Sequence, residues 1–248
     1  MRFAGKIALV TGGLSGIGAA IAETLVREGA NVIAADIGAP ADATLVGEGL
    51  LPFRVDVVDP ASVTALITAA RARFGRIDYL VTSAGVGRDL PFLETPLAEF
   101  DRILAVNLRG TFLVAQATAR EMARTGGGAI VTIGSVSGAR GNIGRAAYGA
   151  SKGAVATLSQ VMAVELAAAN IRVNCLAPGP VETPLVAEMH DPAIRAAWSR
   201  VTPMHRYAAP SEIAAAACFL LSDAASFITG HILAADGGFL AGGLIGRS

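Results

Sequence analysis

The chain has 248 residues, of which 53% are hydrophobic and 16% charged, and its 20 basic and 20 acidic residues give a formal net charge of zero. This composition is typical of a folded globular protein and excludes a disordered one. Because the charges balance, nothing in the composition favours binding to nucleic acid or to an anionic membrane. The aliphatic runs are shorter than the roughly 20 residues that span a bilayer, so we predict no membrane insertion.

The predicted elements alternate along the chain between short apolar segments rich in β-branched residues and longer helical patterns. Strands are predicted at residues 7–10, 31–35, 51–55, 79–82, 129–133, 172–176 and 231–234. Helices are predicted at residues 17–28, 61–74, 97–124, 147–169 and 211–221, with a shorter helical region within 184–200. This alternation predicts a single α/β domain over residues 1–248, a Rossmann-type doubly wound parallel sheet of about seven strands with helices on both faces.

The least regular part of the chain is residues 180–209, here called the lid segment. Five of the eleven prolines lie in it or just before it: Pro178, Pro180, Pro184, Pro192 and Pro203. Long irregular segments of this kind often cover an active site. We therefore expect it to cover a bound substrate.

A glycine-rich turn follows the first predicted strand, where residues 11–18 read Thr-Gly-Gly-Leu-Ser-Gly-Ile-Gly. Between a strand and a helix, such a turn lets backbone N–H groups approach a pyrophosphate, which the helix N-terminus also favours. We predict a dinucleotide site here, formed by Gly12, Ser15, Gly16, Ile17 and Gly18. A purely structural strand-to-helix turn is the alternative.

Asp36 ends the second predicted strand, 18 residues beyond Gly18. An acidic residue about 20 residues after the glycines meets the adenosine ribose of a dinucleotide. Its carboxylate would accept from ribose hydroxyls and repel a 2′-phosphate, and positions 13–15 and 37–39 carry no lysine or arginine. These residues favour NAD over NADP as the cofactor. A solvated carboxylate at a strand end is the alternative.

Tyr148 and Lys152 lie one helical turn apart, and Ser135 lies thirteen residues before the tyrosine. A phenol is a poor acid–base catalyst near neutral pH until a nearby cation favours its phenolate. Lys152 can be that cation, in a chain whose only other lysine is Lys6 and whose remaining 18 basic residues are arginines. An ordinary helix-face pair is the alternative.

Together these motifs resemble the short-chain dehydrogenase/reductase family over essentially the whole chain. Further matches are Asp56-Val57, Asn107, Asn174, Pro178-Gly179 with Val181 and Thr183 following, and Asp236-Gly237-Gly238. The chain departs from the family at Ser83, where asparagine is usual, and at Gly134, where a second serine is common. The resemblance implies a nicotinamide cofactor and a homotetramer.

The resemblance also implies roles for individual residues. Tyr148 would be the general acid–base group, Lys152 its cation and a ligand of the nicotinamide ribose, Ser135 a donor to the substrate oxygen, and Asn107 the holder of a water. Additional cofactor contacts would come from Asp56, Val57, Ser83, Ala84, Gly85, Pro178, Gly179, Val181 and Thr183. The alternatives are structural: Ser135 as a strand end, Asn107 as a partner of backbone groups, Asp56 as a turn residue and Thr183 as a helix cap.

Substrate contacts are predicted at Ser137, Asn142, Arg145, Met189 and Trp198, with Val136, Arg140, His190 and His205 as further candidates. The two arginines would favour a polar or anionic substrate, with a solvated loop as the alternative. A histidine is more often a surface or hydrogen-bonded structural residue than a substrate contact, and the alternative for Trp198 and Met189 is that they seal the core under the lid.

The leading functional hypothesis is an NAD-dependent oxidoreductase that interconverts a secondary alcohol of the polyol, sugar or hydroxy acid type and its ketone. The alternatives are a 3-oxoacyl thioester ketoreductase and a non-catalytic NAD-binding regulatory protein. The apolar tail at residues 239–245 favours self-association. Cys175 and Cys218 lack metal-ligand spacing, and no signal region precedes the first strand, so we expect a cytoplasmic protein without a metal site.

Overall fold

The computed structural model describes residues 1–43 and 47–242. The described residues contain seven strands in one parallel sheet with the order β3-β2-β1-β4-β5-β6-β7. The strands are β1 (Ile7–Thr11), β2 (Asn31–Asp36), β3 (Leu50–Arg54), β4 (Tyr79–Thr82), β5 (Gly128–Ile133), β6 (Ile171–Pro178) and β7 (Ile232–Ala235). This topology confirms the predicted doubly wound sheet.

Eight α-helices connect these strands in the described parts of the chain. They are α1 (Gly16–Arg27), α2 (Pro60–Phe74), α3 (Leu97–Leu104), α4 (Thr111–Arg124), α5 (Ala146–Leu166), α6 (Pro184–Met189), α7 (Pro192–Val201) and α8 (Pro210–Leu221). None of them is long and apolar enough to cross a membrane.

The core lies on both faces of the sheet because successive strand residues point to opposite sides. Ala8 and Val10 of β1 pack with α1 and α8 on one face. Leu9, between them, packs with α2, α4 and α5 on the other. Burial on both faces explains why β1, β2, β4 and β5 are nearly continuous apolar runs rather than alternating patterns.

The predicted helix at residues 97–124 is interrupted in the structure. A π-helical turn, Ala105–Gly110, separates α3 from α4. Its last residue passes so close to the loop after β3 that a Cβ on Gly110 would lie 2.7 Å from a methyl carbon of Val57. Wide turns of this kind often mark functional sites, and this one carries Asn107.

Two other helix predictions need correction. The region 184–200 forms two short helices, each begun by a proline and capped by the side chain before it: the Val186 N–H donates to Thr183 Oγ1, and the Ile194 N–H donates to Asp191 Oδ1. The end of the helix predicted at 147–169 is a separate 3₁₀ turn, Ala167–Ala169.

The C-terminal tail is only partly described, since residues 243–245 of the predicted apolar tail lie outside the described residues. Phe239 is 6% exposed and packs against Trp198, with ring centroids 5.1 Å apart. Phe239 is therefore buried within the subunit, and self-association through the rest of the tail stays a prediction.

Candidate active site

One cleft of about 440 Å³ lies at the carboxyl ends of the central strands, where the connection from β1 leads to one side of the sheet and that from β4 to the other. Ligands of doubly wound sheets bind at this kind of switch point. The cleft brings together thirteen residues predicted from the sequence: Gly12, Ser15, Gly16, Ile17, Asp36, Asp56, Val57, Ser83, Ala84, Gly85, Tyr148, Lys152 and Thr183.

The glycine-rich turn is shaped by close backbone approach. A Cβ on Gly18 would lie 2.1 Å from the carbonyl oxygen of Gly12, and one on Gly12 would lie 2.9 Å from the backbone of Ala84. Ser15 precedes α1 in an extended conformation and makes no capping hydrogen bond with its side chain. The first N–H groups of α1 are therefore left to an anion, as a dinucleotide site requires.

Asp36 lies at the rim of the cleft with its carboxylate fixed by two backbone donors. The Gly38 N–H donates to Oδ1 at 2.9 Å and the Leu14 N–H to Oδ2 at 3.3 Å. Arg54 is aligned with Asp36 across β2 and β3, and its Nη1 donates to the Ala39 carbonyl at 3.4 Å. No sequence motif predicts this neighbouring cation, because the pairing of the strands brings it there.

The remaining wall of the cleft includes residues that no sequence motif predicts. Most of these residues lie next to a predicted one in the sequence, and only Arg102 lies far from any motif. The nine residues are Ala35, Ile37, Val55, Val86, Arg102, Val106, Ile133, Pro184 and Leu185. Asp56 also has a turn role, because its Oδ1 accepts from the Val58 N–H at 3.0 Å.

Tyr148 and Lys152 face the cleft from α5. The Lys152 ammonium donates to the carbonyl of Ile133 at 2.8 Å and lies 5.7 Å from the centroid of the Tyr148 ring. The lysine is 5% exposed, so its charge is held beside the tyrosine with little screening by water. The helical spacing and the end of β5 together place this cation.

Ser135 follows β5 by two residues and does not line the cleft. Its Oγ accepts from the Ser137 N–H at 3.1 Å. This bond uses the hydroxyl as an acceptor and leaves its O–H available to donate. Its contact with a substrate oxygen stays a prediction.

Asn107 is fully buried in the π-helical turn. Its side chain accepts from the Val86 N–H at 2.8 Å and donates to the Val86 carbonyl at 2.9 Å and to Ser151 Oγ at 3.0 Å. It thereby ties the loop after β4 to α5. The structure shows the backbone-binding role that the sequence left as the alternative, and the water-holding role stays a prediction.

Four predicted cofactor residues do not line the cleft: Gly18, Pro178, Gly179 and Val181. Gly18 allows the close approach of α1 to its turn. Pro178 ends β6, and a Cβ on Gly179 would lie 2.8 Å from the Cα of Asp236. Val181 is 3% exposed and forms a parallel bridge with Ala208. The bridge joins the two ends of the lid segment, and direct cofactor contacts from all four positions stay predictions.

Arg145 and His190, two of the substrate candidates, are buried and bonded to each other. Arg145 Nη2 lies 2.9 Å from His190 Nε2, and Arg145 Nε lies 2.9 Å from a carboxylate oxygen of Asp89. His190 Nδ1 lies 2.8 Å from the hydroxyl of Tyr207. A solvated loop is therefore the wrong interpretation for Arg145, and a surface position is wrong for His190. Burial and the charge of Arg145 lower the pKa of His190.

The other candidates differ in their distance from Tyr148. The backbone at Gly87 lies between Tyr148 and Met189, because a Cβ there would be 3.2 Å from the tyrosine ring and 3.6 Å from the methionine sulfur. Trp198 stacks on His190 with centroids 6.3 Å apart. The remaining candidates have contacts elsewhere: Asn142 donates to Ser137 at 3.2 Å, Val136 is buried, Arg140 lies over Phe239, and His205 is exposed.

The geometry agrees with comparisons with known proteins. A family model described as enoyl-(acyl carrier protein) reductase, of the short-chain dehydrogenase type, matches residues 12–240. The chain belongs to the short-chain dehydrogenase/reductase family. It is therefore an oxidoreductase of the class that acts on CH–OH groups with a nicotinamide nucleotide.

Individual members of the family show how widely the fold is used. The chain is 44% identical to D-threitol dehydrogenase of Mycolicibacterium smegmatis, covering 96% of this chain and 94% of that protein. It is 39% identical to the 3-oxoacyl-(acyl-carrier-protein) reductase of Thermotoga maritima, covering 97% and 100%. The crystal structure of levodione reductase superposes with a TM-score of 0.91 at 35% identity, covering 98% of this chain and 100% of that one.

Proposed function

We propose that this protein is an NAD-dependent oxidoreductase that interconverts a secondary alcohol of the polyol, sugar or hydroxy acid type and the corresponding ketone. One observation carries the proposal: a single cleft has the glycine turn and Asp36 at one end and Tyr148 with Lys152 at the other. The residues fit a nicotinamide dinucleotide, since the glycines leave room for its pyrophosphate and α1 offers uncapped N–H groups.

The chain's own residues handle the proton and the substrate oxygen. When bound, the nicotinamide supplies or accepts the hydride, which carries the electron pair of the C–H bond. In alcohol oxidation Tyr148 takes the hydroxyl proton as the carbonyl forms, and in ketone reduction it returns that proton. Lys152 stabilises the phenolate, and Ser135 donates to the substrate oxygen as negative charge develops there.

The choice of NAD over NADP rests on Asp36. Two backbone N–H groups fix its carboxylate at the cleft rim, where it can accept from the ribose hydroxyls and repel a phosphate. Arg54 is paired with Asp36 in the sheet register, and its guanidinium donates to the carbonyl of Ala39. The preference is tested by Asp36→Ser, which we expect to raise KM for NAD and lower KM for NADP.

A polyol substrate is supported by the 44% identity to the D-threitol dehydrogenase. The second candidate function is reduction of 3-oxoacyl thioesters, supported by the 39% identity to the acyl-carrier-protein reductase. Both use the same Tyr148 chemistry and differ in substrate length and cofactor. Asp36 favours the first, because the phosphate of NADPH would meet its carboxylate.

We also propose that residues 180–209 form a lid over the substrate within one continuous domain, and that the protein is a cytoplasmic homotetramer. Exposed apolar side chains on different elements support this assembly, since two self-complementary interfaces generate a tetramer with two-fold axes. Phe112, Val161 and Val164 are exposed on α4 and α5, and Phe219, Phe227 and Ile232 are exposed on or near α8 and β7. Light scattering tests this: Val164→Glu is expected to give dimers, and a wild-type monomer would contradict the proposal.

The decisive experiment follows absorbance of the reduced nicotinamide. Wild type and Tyr148→Phe are mixed with NAD or NADP and a panel of secondary alcohols, polyols and sugars. In the reverse direction they are mixed with NADH or NADPH and a 3-oxoacyl thioester. Tyr79→Phe is the matched control, because Tyr79 packs in the core against Phe3. We expect NAD reduction by wild type and the control, and a loss of at least about 100-fold in Tyr148→Phe.

Other outcomes lead to different conclusions. Faster reduction of the thioester with NADPH would establish the second candidate in place of the first. Binding of NAD without turnover of any compound would support a regulatory, non-catalytic protein. Undiminished turnover by Tyr148→Phe would refute the proposed chemistry.

A further inference from the structure

The ring of Tyr148 has two cations beside it. Lys152 Nζ lies 5.7 Å from the ring centroid, and the guanidinium carbon of Arg145 lies 5.2 Å from it. Both side chains are at most 9% exposed. A buried cation over an aromatic ring is attracted to its π electrons, and the attraction grows when the phenol becomes a phenolate.

Arg145 is held in this position from two directions. It is the residue just before α5, and its backbone forms a parallel bridge with Leu90. Asp89, in the same loop after β4, lies 2.9 Å from Arg145 Nε. On the lid segment, His190 meets Arg145 Nη2 at 2.9 Å. The guanidinium is therefore fixed between the loop that follows β4 and the lid segment.

The hydrogen bond from Arg145 determines the protonation state of His190. Arginine can only donate, so His190 Nε2 is the acceptor and the ring is neutral, with its proton on Nδ1 and directed to the Tyr207 hydroxyl. The lowered pKa of His190, caused by burial and by Arg145, agrees with this state. His190 thus holds Arg145 without adding a charge.

We propose that Arg145 is a positioning residue for the reaction proposed above, whose guanidinium over the Tyr148 ring favours the phenolate and is held there by His190 of the lid segment. The inference rests on the proposed role of Tyr148. It links the position of the lid segment to the acid–base state of the tyrosine, because movement of His190 would release Arg145 from one of its two partners.

The charges around Tyr148 determine whether its phenolate is stabilised or destabilised. Lys152 and Arg145 are positive, and Asp89 is the negative group that forms an ion pair with Arg145. Asp89 has 29% of its side chain exposed against 9% for Arg145, so solvent screens the carboxylate more. Farther along the lid segment, His190 has Asp191 and Arg195 near it, and Arg195 is paired with Glu182. These negative groups therefore cancel only part of the positive electrostatic potential that Arg145 produces at Tyr148.

The direct test is an ultraviolet titration of tyrosinate in the full-length protein without substrate. The chain has three tyrosines, and burial raises the pKa of both Tyr79 and Tyr207. The step lost in Tyr148→Phe belongs to Tyr148. We expect Arg145→Gln to move that step to higher pH by about 0.5 to 1 unit, the shift for loss of one partly screened charge about 5 Å from the centre of the ring.

Three further variants separate charge from packing. Arg145→Lys keeps the charge and is expected to shift the step by less than half as much. Asp89→Asn removes the opposing charge and is expected to shift it to lower pH. Arg124→Gln, an exposed arginine of α4 paired with Glu121, is the matched control and is expected to have no effect.

Kinetics give the second readout. The pH midpoint of kcat/KM for alcohol oxidation should move with the titration, so that Arg145→Gln loses about three- to ten-fold near neutral pH and recovers at high pH. An unmoved tyrosinate step in Arg145→Gln, or an equal shift in Arg145→Lys, would overturn the inference. Should Arg145→Gln fail to fold, the opposite shift in Asp89→Asn decides it, and its absence refutes it. Full activity of Tyr148→Phe would instead refute the proposed function.

Discussion

Asn107 joins the loop after β4 to α5 beside the active site, and its removal should destabilise the folded protein. The side chain makes three hydrogen bonds, two with the backbone of Val86 and one with Ser151, and it is fully buried. Each such bond contributes about 1 kcal/mol net, and a partner left unsatisfied costs about 1–3 kcal/mol. Val86 is half-buried, so water can compensate part of the loss. We expect Asn107→Ala to lower the free energy of unfolding by about 3 kcal/mol.

The assay is urea denaturation at one protein concentration, followed by NAD titration at low urea. For a chain of this length, about 3 kcal/mol corresponds to a melting temperature lower by about 6–12 °C. Asn31→Ala is the matched control, because Asn31 accepts one bond, from the Gly49 N–H, and should cost only about 1 kcal/mol. Asn107→Asp keeps the size but cannot donate to the Val86 carbonyl, and should also destabilise. Equal losses in Asn107→Ala and Asn31→Ala would refute the reasoning.

Three further predictions concern other parts of the chain. Burial and Arg145 hold the pKa of His190 below its usual 6.5. The imidazole of His190 is therefore protonated at higher pH in the unfolded chain than in the folded one. The stability contributed by neutral His190 is fully present above about pH 6.5 and is lost as the pH falls toward the pKa of the folded state. In His190→Gln, the urea midpoint of unfolding should therefore depend less on pH across this range. Gly18→Ala should weaken NAD binding at least about ten-fold in calorimetry, because its Cβ would lie 2.1 Å from the Gly12 carbonyl; Gly141→Ala, with open space around it, should bind as wild type. Burial raises the pKa of Cys218 to about 12, so a thiol reagent should label it only after unfolding, and rapid labelling of the folded protein would contradict its burial.

The fold could be predicted because its signals are local. Seven apolar segments predict a parallel sheet, and burial on both faces explains why the segments that form β1, β2, β4 and β5 show no alternation. The strand bounds agree to within two residues. The interruption at Ala105–Gly110 was not predictable from periodicity, because an extra residue in one turn is forced by tertiary contacts with Val57 and Val86.

The cofactor side of the site was predictable for the same reason. Its residues lie at fixed offsets from strand ends, and thirteen of them line one cleft. The neighbours that were missed arrive through pairing or packing. Arg54 is next to Asp36 only because β2 and β3 are aligned, and Arg102 reaches the cleft from α3 without any motif around it.

The substrate side could not be predicted because its partners are far apart in sequence. Arg145 meets Asp89 and His190 across 56 and 45 residues, and no spacing rule connects three such positions. A buried arginine without partners would cost several kcal/mol, so its burial implies that compensating groups exist without identifying them. The need for compensating groups also connects Arg145 to the lid segment. Because buried Arg145 needs both Asp89 and a neutral His190, the lid segment cannot move away without changing the surroundings of Tyr148.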